Sequence, residues 1–289
     1  MSTNSIVQKR AHLFANLDRF GRVLVAYSGG TDSAYLAYAA HRVLGQNMLA
    51  VIADSPSLSR AHLRDAVKFA EESGIPHRVI TTQEMENPEY TKNDGMRCFH
   101  CKDELFRVMD HLCTTLHFSS VAYGMNMDDI GEFRPGQMAA RQHHVVAPLA
   151  EAELTKREIR QLAQEANLRI WDKPASACLS SRIAYGEPVN RETLQRIERG
   201  EEILAEMGFR QFRVRHHGDI VRLEIARDEM GSLFSLERLD RLAAALKQLG
   251  YKYVTLDIEG YRSGSMNAVL PASEIRRAPF QEAHQEGRA

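Results

Sequence analysis

Residues 23–40 read Val23-Leu24-Val25-Ala26-Tyr27-Ser28-Gly29-Gly30-Thr31-Asp32-Ser33-Ala34-Tyr35-Leu36-Ala37-Tyr38-Ala39-Ala40. The apolar run Val23–Tyr27 predicts a buried strand, and Ala34–Ala40 predicts a helix. A turn rich in Ser and Gly between the two points several backbone N–H groups at one spot, and the helix N-terminus adds partial positive charge there. Such a turn holds a phosphate. Gly29 and Gly30 let the backbone come close to the anion, and the hydroxyls of Ser28, Thr31 and Ser33 add hydrogen bonds. Asp32 suits an anion site only through a metal ion that is itself bound to phosphate. The plainer alternative is a helix cap on a tight turn.

The turn lacks the G-K-[ST] ending of a Walker loop and the G-x-G-x-x-G of a dinucleotide fingerprint. Its pattern, S-G-G-x-D-S, resembles the PP-loop of ATP pyrophosphatases. That resemblance implies cleavage of ATP to AMP and pyrophosphate, with adenylation of a substrate oxygen.

Outward from this turn, strands and helices alternate to about residue 170. Strands are expected at Met48–Ala53, His77–Thr81 and Val121–Tyr123. Helices are expected up to about Val43 and over Arg60–Glu72, Asp103–Leu116 and Lys156–Ala166. The alternation argues for a parallel sheet covered on both faces, with ligands beyond the carboxyl ends of its strands. Asp54-Ser55-Pro56-Ser57 closes the second strand and suits either adenosine recognition or a simple turn. Gly124-Met125-Asn126-Met127-Asp128-Asp129 follows the strand at 121–123. Its adjacent carboxylates call for a cation or donors, which a magnesium–nucleotide complex would supply. Lys156 opens a helix and reaches a phosphate as a point charge, or is an ordinary surface lysine.

The alternation ends at Trp171-Asp172-Lys173-Pro174. Leu194, Ile197, Leu204 and Met207 then mark a helix. Strands Phe212–Arg215 and Val221–Ile225 flank the hairpin signal Gly218-Asp219. A helix over Leu236–Leu249 and a strand over Tyr251–Ile258 complete a smaller α/β unit. The expected organisation is a nucleotide domain over 1–175, a second domain over 176–275 and a polar, disordered tail over 276–289.

The chain has 289 residues, 44% hydrophobic and 26% charged, with net charge −1. No strong basic field exists, so nucleic acid is not an expected partner. No apolar run approaches the roughly 18 residues that span a membrane, and the N-terminus lacks a secretory apolar segment. A cytoplasmic protein is expected, and structural disulfides are not. Of the four cysteines, Cys113 shares a helix face with Phe106 and Met109 and is expected to be a small buried hydrophobe. Cys98-Phe99-His100-Cys101 is a C-x-x-C, open to redox, zinc or iron–sulfur chemistry, with Arg97 and Lys102 expected to lower its thiol pKa values. Cys178 lies in Pro174-Ala175-Ser176-Ala177-Cys178-Leu179-Ser180-Ser181-Arg182, a small-residue segment that reads as a functional loop. Arg182 there favours a thiolate.

These segments occur in order with Arg134-Pro135-Gly136, Arg213-Val214-Arg215-His216-His217-Gly218 and Gly260-Tyr261-Arg262-Ser263-Gly264-Ser265-Met266-Asn267. Together, over residues 20 to 270, they resemble the LarE family, ATP-dependent sulfur transferases of nickel-pincer nucleotide cofactor synthesis. The resemblance implies a PP-loop ATP pyrophosphatase domain (adenine nucleotide alpha hydrolase-like) followed by a smaller C-terminal α/β domain. It implies pyridinium-3,5-biscarboxylic acid mononucleotide as substrate, adenylated on a carboxylate and converted to a thiocarboxylate. ATP and Mg2+ would be held by Ser28, Gly29, Gly30, Thr31, Asp32, Ser33, Asp54, Ser55, Ser57, Gly124 and Lys156. Cys178, Asp32 and Ser181 would be catalytic, and Arg182, Arg213, Arg215, Glu201 and Glu224 would face the substrate. Some members have a single cysteine and give up its sulfur, leaving dehydroalanine. Others carry three, at the positions of Cys98, Cys101 and Cys178, and look like 4Fe-4S proteins; a cluster there would take sulfide from an external donor. The three cysteines here favour the cluster over sacrifice of Cys178. Homo-oligomers, up to hexamers, are implied as well. A tRNA-thiolating PP-loop enzyme, and a non-catalytic zinc- or nucleotide-binding module, are the competing readings.

Overall fold

The computed structural model describes residues 5–131, 135–174 and 177–262. Arg134, Ala175, Ser176, Ser263–Asn267 and the tail named above lie outside them. Helix α1 (Ile6–Phe20) starts with a reciprocal cap between Ser5 and Gln8 and buries Leu13 and Leu17. The chain then alternates through β1 (Val23–Ala26), α2 (Thr31–Leu44), β2 (Met48–Asp54), α3 (Arg60–Glu72) and β3 (His77–Thr81). It continues through α4 (Pro88–Thr91), α5 (Arg97–Thr115), β4 (Ser120–Tyr123), α6 (Pro135–Gln142), α7 (Pro148–Glu151) and α8 (Lys156–Glu165). The four strands are parallel in the order β3-β2-β1-β4.

Every residue of β1 is buried, as a central parallel strand requires. Its side chains alternate between two apolar layers. Val23 and Val25 join Leu13, Leu36 and Ile159 on one face; Leu24 and Ala26 join Phe106, Met109 and Val121 on the other. The α/β class with a parallel sheet is therefore the one read from the sequence.

A second sheet follows. Helix α9 (Arg191–Glu206) leads to β5 (Phe212–His217) and β6 (Ile220–Ile225), joined antiparallel through the turn at Gly218. Short α10 (Arg227–Met230), α11 (Leu236–Gln248) and β7 (Tyr253–Leu256) complete it, with β7 parallel to β6. Leu194, Ile197, Val214, Leu223 and Leu246 form its core. Tyr90 of α4 belongs to that core and Cys101 of α5 packs against it, so elements of the first half adjoin the second sheet.

Two expectations change. Helix α5 begins at Arg97 rather than Asp103, so the C-x-x-C is helical and its three-residue spacing puts both cysteines on one face. Cys113 is only half-buried; its Sγ donates to the Phe118 carbonyl oxygen at 3.3 Å. Among the described residues, no helix is long and apolar enough to cross a membrane.

Candidate active site

The carboxyl ends of β1, β2 and β4 share one edge of the parallel sheet. Three loops leave that edge: Ser28–Gly30 into α2, Asp54–Ser59 into α3, and Gly124–Asn126 after β4. At the N-terminus of α2, Gly30 is the cap and no side chain caps the first turn, which leaves main-chain N–H groups for an anion. The Ser28 and Ser33 hydroxyls lie 3.0 Å apart, and Ser33 Oγ donates to the Gly30 carbonyl at 3.1 Å. Thr31 Oγ1 donates to the Ile170 carbonyl at 2.9 Å, so Thr31 offers an anion its main-chain N–H rather than its hydroxyl.

Two glycines make the cradle possible. Gly29 has φ +76° and touches α3; a Cβ there would sit 2.8 Å from Ala66 Cβ. His62 of α3 supports the same turn, its Nε2 donating to the Ser28 carbonyl at 2.7 Å. Burial, then Lys173, lowers the His62 pKa, which keeps the ring a neutral donor. A Cβ at Gly124 would lie 2.8 Å from the Ser33 main-chain nitrogen, so only glycine lets the β4 loop lie against the turn.

Asp32 takes a hydrogen bond from Asn126 Nδ2 at 3.1 Å. Burial, and then the Asp129 carboxylate, raise its pKa. Asp32 and Asp129 thus bring two mutually repelling carboxylates beside the anion cradle, of the oxygen-ligand chemistry that a hard divalent ion takes. Lys156 does not reach toward the cradle as a free charge: its Nζ pairs with Asp129 Oδ1 at 2.9 Å, and its N–H donates to Asp128 at 2.7 Å. Asp54 pairs with Arg60 at 2.5 Å, and Arg60 also donates to the Ser55 and Leu58 carbonyls at 2.8 Å. The Asp54–Ser57 segment is thus a tied turn, with Ser55 and Ser57 buried and their hydroxyls 2.8 Å apart.

The segment after α8 bridges the two halves. Arg160 donates to the Trp171 and Lys173 carbonyls at 2.6 and 2.8 Å, and Lys173 Nζ donates to the Gly29 carbonyl at 3.2 Å. Further on, the Leu179 N–H donates to the Ser57 carbonyl at 2.7 Å. The loop of Cys178 is thereby hydrogen-bonded to the turn that ends β2.

Charged groups of the loop itself, of α9 and of the second sheet meet here. Arg182 donates to the Ala177 and Cys178 carbonyls at 2.6 and 2.9 Å and grips Glu201 with two bonds of 2.8 and 3.2 Å. Ser181 Oγ donates to the Cys178 carbonyl at 2.7 Å. Arg215 reaches the Ser181 carbonyl at 3.0 Å and pairs with buried Glu224 at 2.7 Å. Arg213 lies over the Tyr261 ring, 4.9 Å from its centroid. Burial, and then the neighbouring Arg182, lower the Arg213 pKa, against the opposing pull of Glu201.

The C-x-x-C faces the same loop from α5. Burial pushes the Cys101 thiol up, and Lys102 offsets this only in part. Cys98 is an exposed residue, yet the protein around its thiol also raises its pKa against the pull of Arg97, and the charge of Cys178 adds to the rise in both. The expected lowering by Arg97 and Lys102 is therefore outweighed by desolvation. Buried Arg97 donates to the Ser180 carbonyl at 2.9 Å. Burial opposes its charge, but Cys178 and Cys98 more than compensate and raise its pKa. Among the described residues, no three His, Cys, Asp or Glu side chains stand close enough to hold a single metal ion. Cys98 and Cys101 of α5 and Cys178 are the three thiols of this region, and thiolates are the ligands of iron–sulfur clusters.

Residues 12–97 match the NAD synthase family. The chain is 42% identical to an uncharacterized protein, slr1717, of Synechocystis sp., over 92% of this chain and 98% of that one. It is 32% identical to pyridinium-3,5-bisthiocarboxylic acid mononucleotide synthase of Lactiplantibacillus plantarum, over 94% of this chain and 98% of the synthase. The chain belongs to the LarE family. A more distant similarity, 28% over 65% of this chain and 62% of the relative, links it to a tRNA-specific 2-thiouridylase of Carboxydothermus hydrogenoformans.

In this LarE-family chain, four participants escape a reading of motifs alone. His62 hides on the apolar face of α3 with Ala66, Phe69 and Ala70, where its three- and four-residue spacing passes for core. Glu84, Tyr90 and Asn93 lie between β3 and α5: Glu84 accepts from Ser55 Oγ, the Tyr90 hydroxyl on α4 lies 2.7 Å from Ser180 Oγ, and Asn93 accepts from Arg97. Their only signal is the excess of polar residues beside an aromatic, in a stretch whose helix α4 is only four residues long.

Proposed function

We propose that the chain is an ATP-dependent sulfur transferase that adenylates a carboxylate of pyridinium-3,5-biscarboxylic acid mononucleotide and converts it to a thiocarboxylate. The observation that carries the reading is the join between the two halves of the site: the loop of Cys178 is hydrogen-bonded, through Leu179 and Ser57, to the turn beside the phosphate cradle. Activated acyl group and sulfur would then meet without diffusion between sites. The family membership supports the substrate class.

In this reading the uncapped N–H groups at Gly30–Asp32, with Ser28, Gly29 and Ser33, bind the ATP phosphates. Asp32 holds Mg2+ on them, with Asn126 orienting the carboxylate and Gly124 allowing the close approach. Ser55 and Ser57 line the adenosine side, with Asp54 and Lys156 shaping the loops around it. Attack of the substrate carboxylate on the α-phosphorus forms the acyl-adenylate and releases pyrophosphate. Arg213, with Arg182 and Arg215 beside it, holds the substrate phosphate, because guanidinium groups match that anion. Glu201 and Glu224 orient those arginines, and Ser181 orients the Cys178 backbone. When bound to Cys98, Cys101 and Cys178, a 4Fe-4S cluster would supply an exposed iron for an external sulfide. The polypeptide itself keeps all its sulfur, AMP leaves, and turnover repeats. Residues 1–175 and 176–275 would act as nucleotide and sulfur domains, in a homo-oligomer.

Chromatography of the nucleotides tests the first step: AMP with pyrophosphate is expected, and ADP with inorganic phosphate sinks the reading. Anaerobic reconstitution, iron and sulfide analysis and intact-mass spectrometry test the second. Repeated turnover at unchanged mass, lost on Cys98→Ala, is expected. Loss of the mass of hydrogen sulfide from Cys178 after one turnover, in iron-free protein, assigns the sacrificial route instead. The tRNA-thiolation reading, which the 2-thiouridylase similarity favours, predicts a salt-sensitive tRNA gel shift. The net charge of −1 argues against it.

A further inference from the structure

Asn93 sits between α4 and α5 with φ +59° and no exposed surface. Asparagine tolerates that left-handed backbone better than most residues. Every hydrogen-bonding group of Asn93 is used. Its N–H donates to the Tyr90 carbonyl at 3.2 Å, and its carbonyl accepts from the Gly186 N–H at 3.0 Å. Its Nδ2 donates to the Ala184 and Glu187 carbonyls, both at 2.8 Å. Its Oδ1 accepts from Arg97 Nη1. The two carbonyls fix which way the amide points, because its oxygen has no proton to give them.

The same Arg97 nitrogen donates to the Ser180 carbonyl at 2.9 Å, and its guanidinium lies over the Tyr185 ring, 5.5 Å from the centroid. Arg97 opens α5 and is followed at once by Cys98. Ser180 lies two residues after Cys178. A neighbouring bond, from the Val189 N–H to the Thr91 carbonyl at 2.7 Å, continues the seam. One buried amide therefore holds the stretch 180–187 against the start of the helix that carries Cys98 and Cys101. It grips the far end directly and the near end through Arg97. Its loss would leave two carbonyls without these donors, which is costly in a buried place.

We infer that Asn93 is a positioning residue, which sets the spacing between the Cys98–Cys101 pair and Cys178. The inference rests on the reading in which these three thiols serve one site, and it deepens that reading. What places the third thiol is an amide outside every cysteine segment. Two substitutions take the amide apart. Glycine adopts φ +59° without strain, so Asn93→Gly removes the side chain and spares the backbone. Aspartate still accepts from Arg97 but cannot donate, so Asn93→Asp breaks only the hold on Ala184 and Glu187.

The test is cross-linking by dibromobimane, which bridges neighbouring thiols, followed by peptide mass spectrometry. The full chain is used, reduced and with a chelator present, so that every thiol is free. The readout is the share of label on Cys98 that bridges to Cys178 rather than to Cys101 or to neither. In N93G and N93D that share should fall roughly tenfold, the worth of two buried hydrogen bonds. Cys98 and Cys101 belong to one helix, so the bridge between them should hold. If neither variant folds, Arg97→Met removes the contacts to Asn93 and Ser180 from the other side and should lower the same share. An unchanged Cys98–Cys178 share in any of these variants, once folded, overturns the inference, as does the absence of that bridge from wild-type protein. So does loosening throughout, with Cys113 labelled faster and both bridges changed alike, since Asn93 would then serve stability alone. The readout needs no ATP, mononucleotide or iron, so it stands even where the nucleotide-product assay fails.

Discussion

Glu224 is fully buried, and Arg215 Nη2 reaches its Oε2 at 2.7 Å along one face of the β5–β6 hairpin. Arg222 approaches the other oxygen at 3.2 Å. The two residues are diagonal neighbours across the strands, since Arg215 faces Arg222 in register and Glu224 lies two further on. Removing Arg215 therefore strips a buried carboxylate of its nearest partner. Arg215→Ala should cost about 3 kcal/mol of stability, read by denaturant titration. Unchanged stability would show that Arg222 alone suffices.

Arg213→Ala is the cleaner probe of the substrate phosphate, because it leaves that buried pair in place. Mononucleotide affinity should fall roughly tenfold, as for a lost charge-assisted hydrogen bond, while ATP affinity holds. Calorimetric titration with each ligand decides; equal loss of both would retire the assignment.

Gly124→Ala should abolish ATP binding more than it harms folding. Its Cβ would meet the Ser33 nitrogen at 2.8 Å and the Ser33 Cα at 2.9 Å, and neither backbone atom can move without reshaping the anion cradle. A variant with wild-type nucleotide affinity would mean that the β4 loop yields instead.

Asp32→Asn should raise the melting temperature near neutral pH and lose Mg2+-dependent ATP binding. Burial, then Asp129, lifts the Asp32 pKa above its ordinary 3.8. The native state then holds this proton more tightly than the unfolded chain. Its contribution to stability falls as pH rises from about 3.8 through the raised folded value and stays unfavourable above it. Thermal melts of both proteins between about pH 4 and 7 should diverge upward with pH; parallel curves would refute the charge-burial account.

A separate pH effect is expected at His143, which joins the end of α6 to α5. Its Nε2 meets Asp103 at 2.9 Å and its Nδ1 meets Asp110 at 2.5 Å. Burial opposes its charge, but the bonds to Asp110 and Asp103 prevail and raise its pKa above 6.5. The stabilisation is full below the unfolded value of about 6.5 and is lost as pH rises through the raised folded value. His143→Gln should remove this dependence. A melting profile that keeps the same slope in the variant would place the effect elsewhere.

The sequence is most legible where one residue type answers one demand. The buried run of β1 and the Ser-Gly-Gly turn after it identify the nucleotide half, because only small residues admit an anion to the backbone. Arg182, Glu201, Arg215 and Glu224 are legible as a charged group around the cysteine loop. Their division into two ion pairs is not, since it depends on strand register. The start of α5 is hidden because Arg97–Lys102 has no apolar period of its own; its partners are remote in sequence, as with Arg97 and the Ser180 carbonyl. Glu84 and Tyr90 are invisible for a related reason. Their partners are 29 and 90 residues away in sequence, and no local pattern encodes a contact of that range.

The alignment of β1 with β4 has a consequence for which changes in length the chain tolerates. Ala26 stands opposite Tyr123, and this match delivers Gly124 to a place beside Ser33 where a missing side chain is needed. The strands act as a ruler. An insertion of one residue within β4 would bring Tyr123 to that place, and a deletion would bring Met125, so a bulky group would enter the cradle while the apolar layers reversed. The same insertion in the loop between α5 and β4, at the opposite edge of the sheet, would be absorbed before the strand begins. Natural or engineered length variation should therefore accumulate at the amino ends of these strands and be absent from their carboxyl ends.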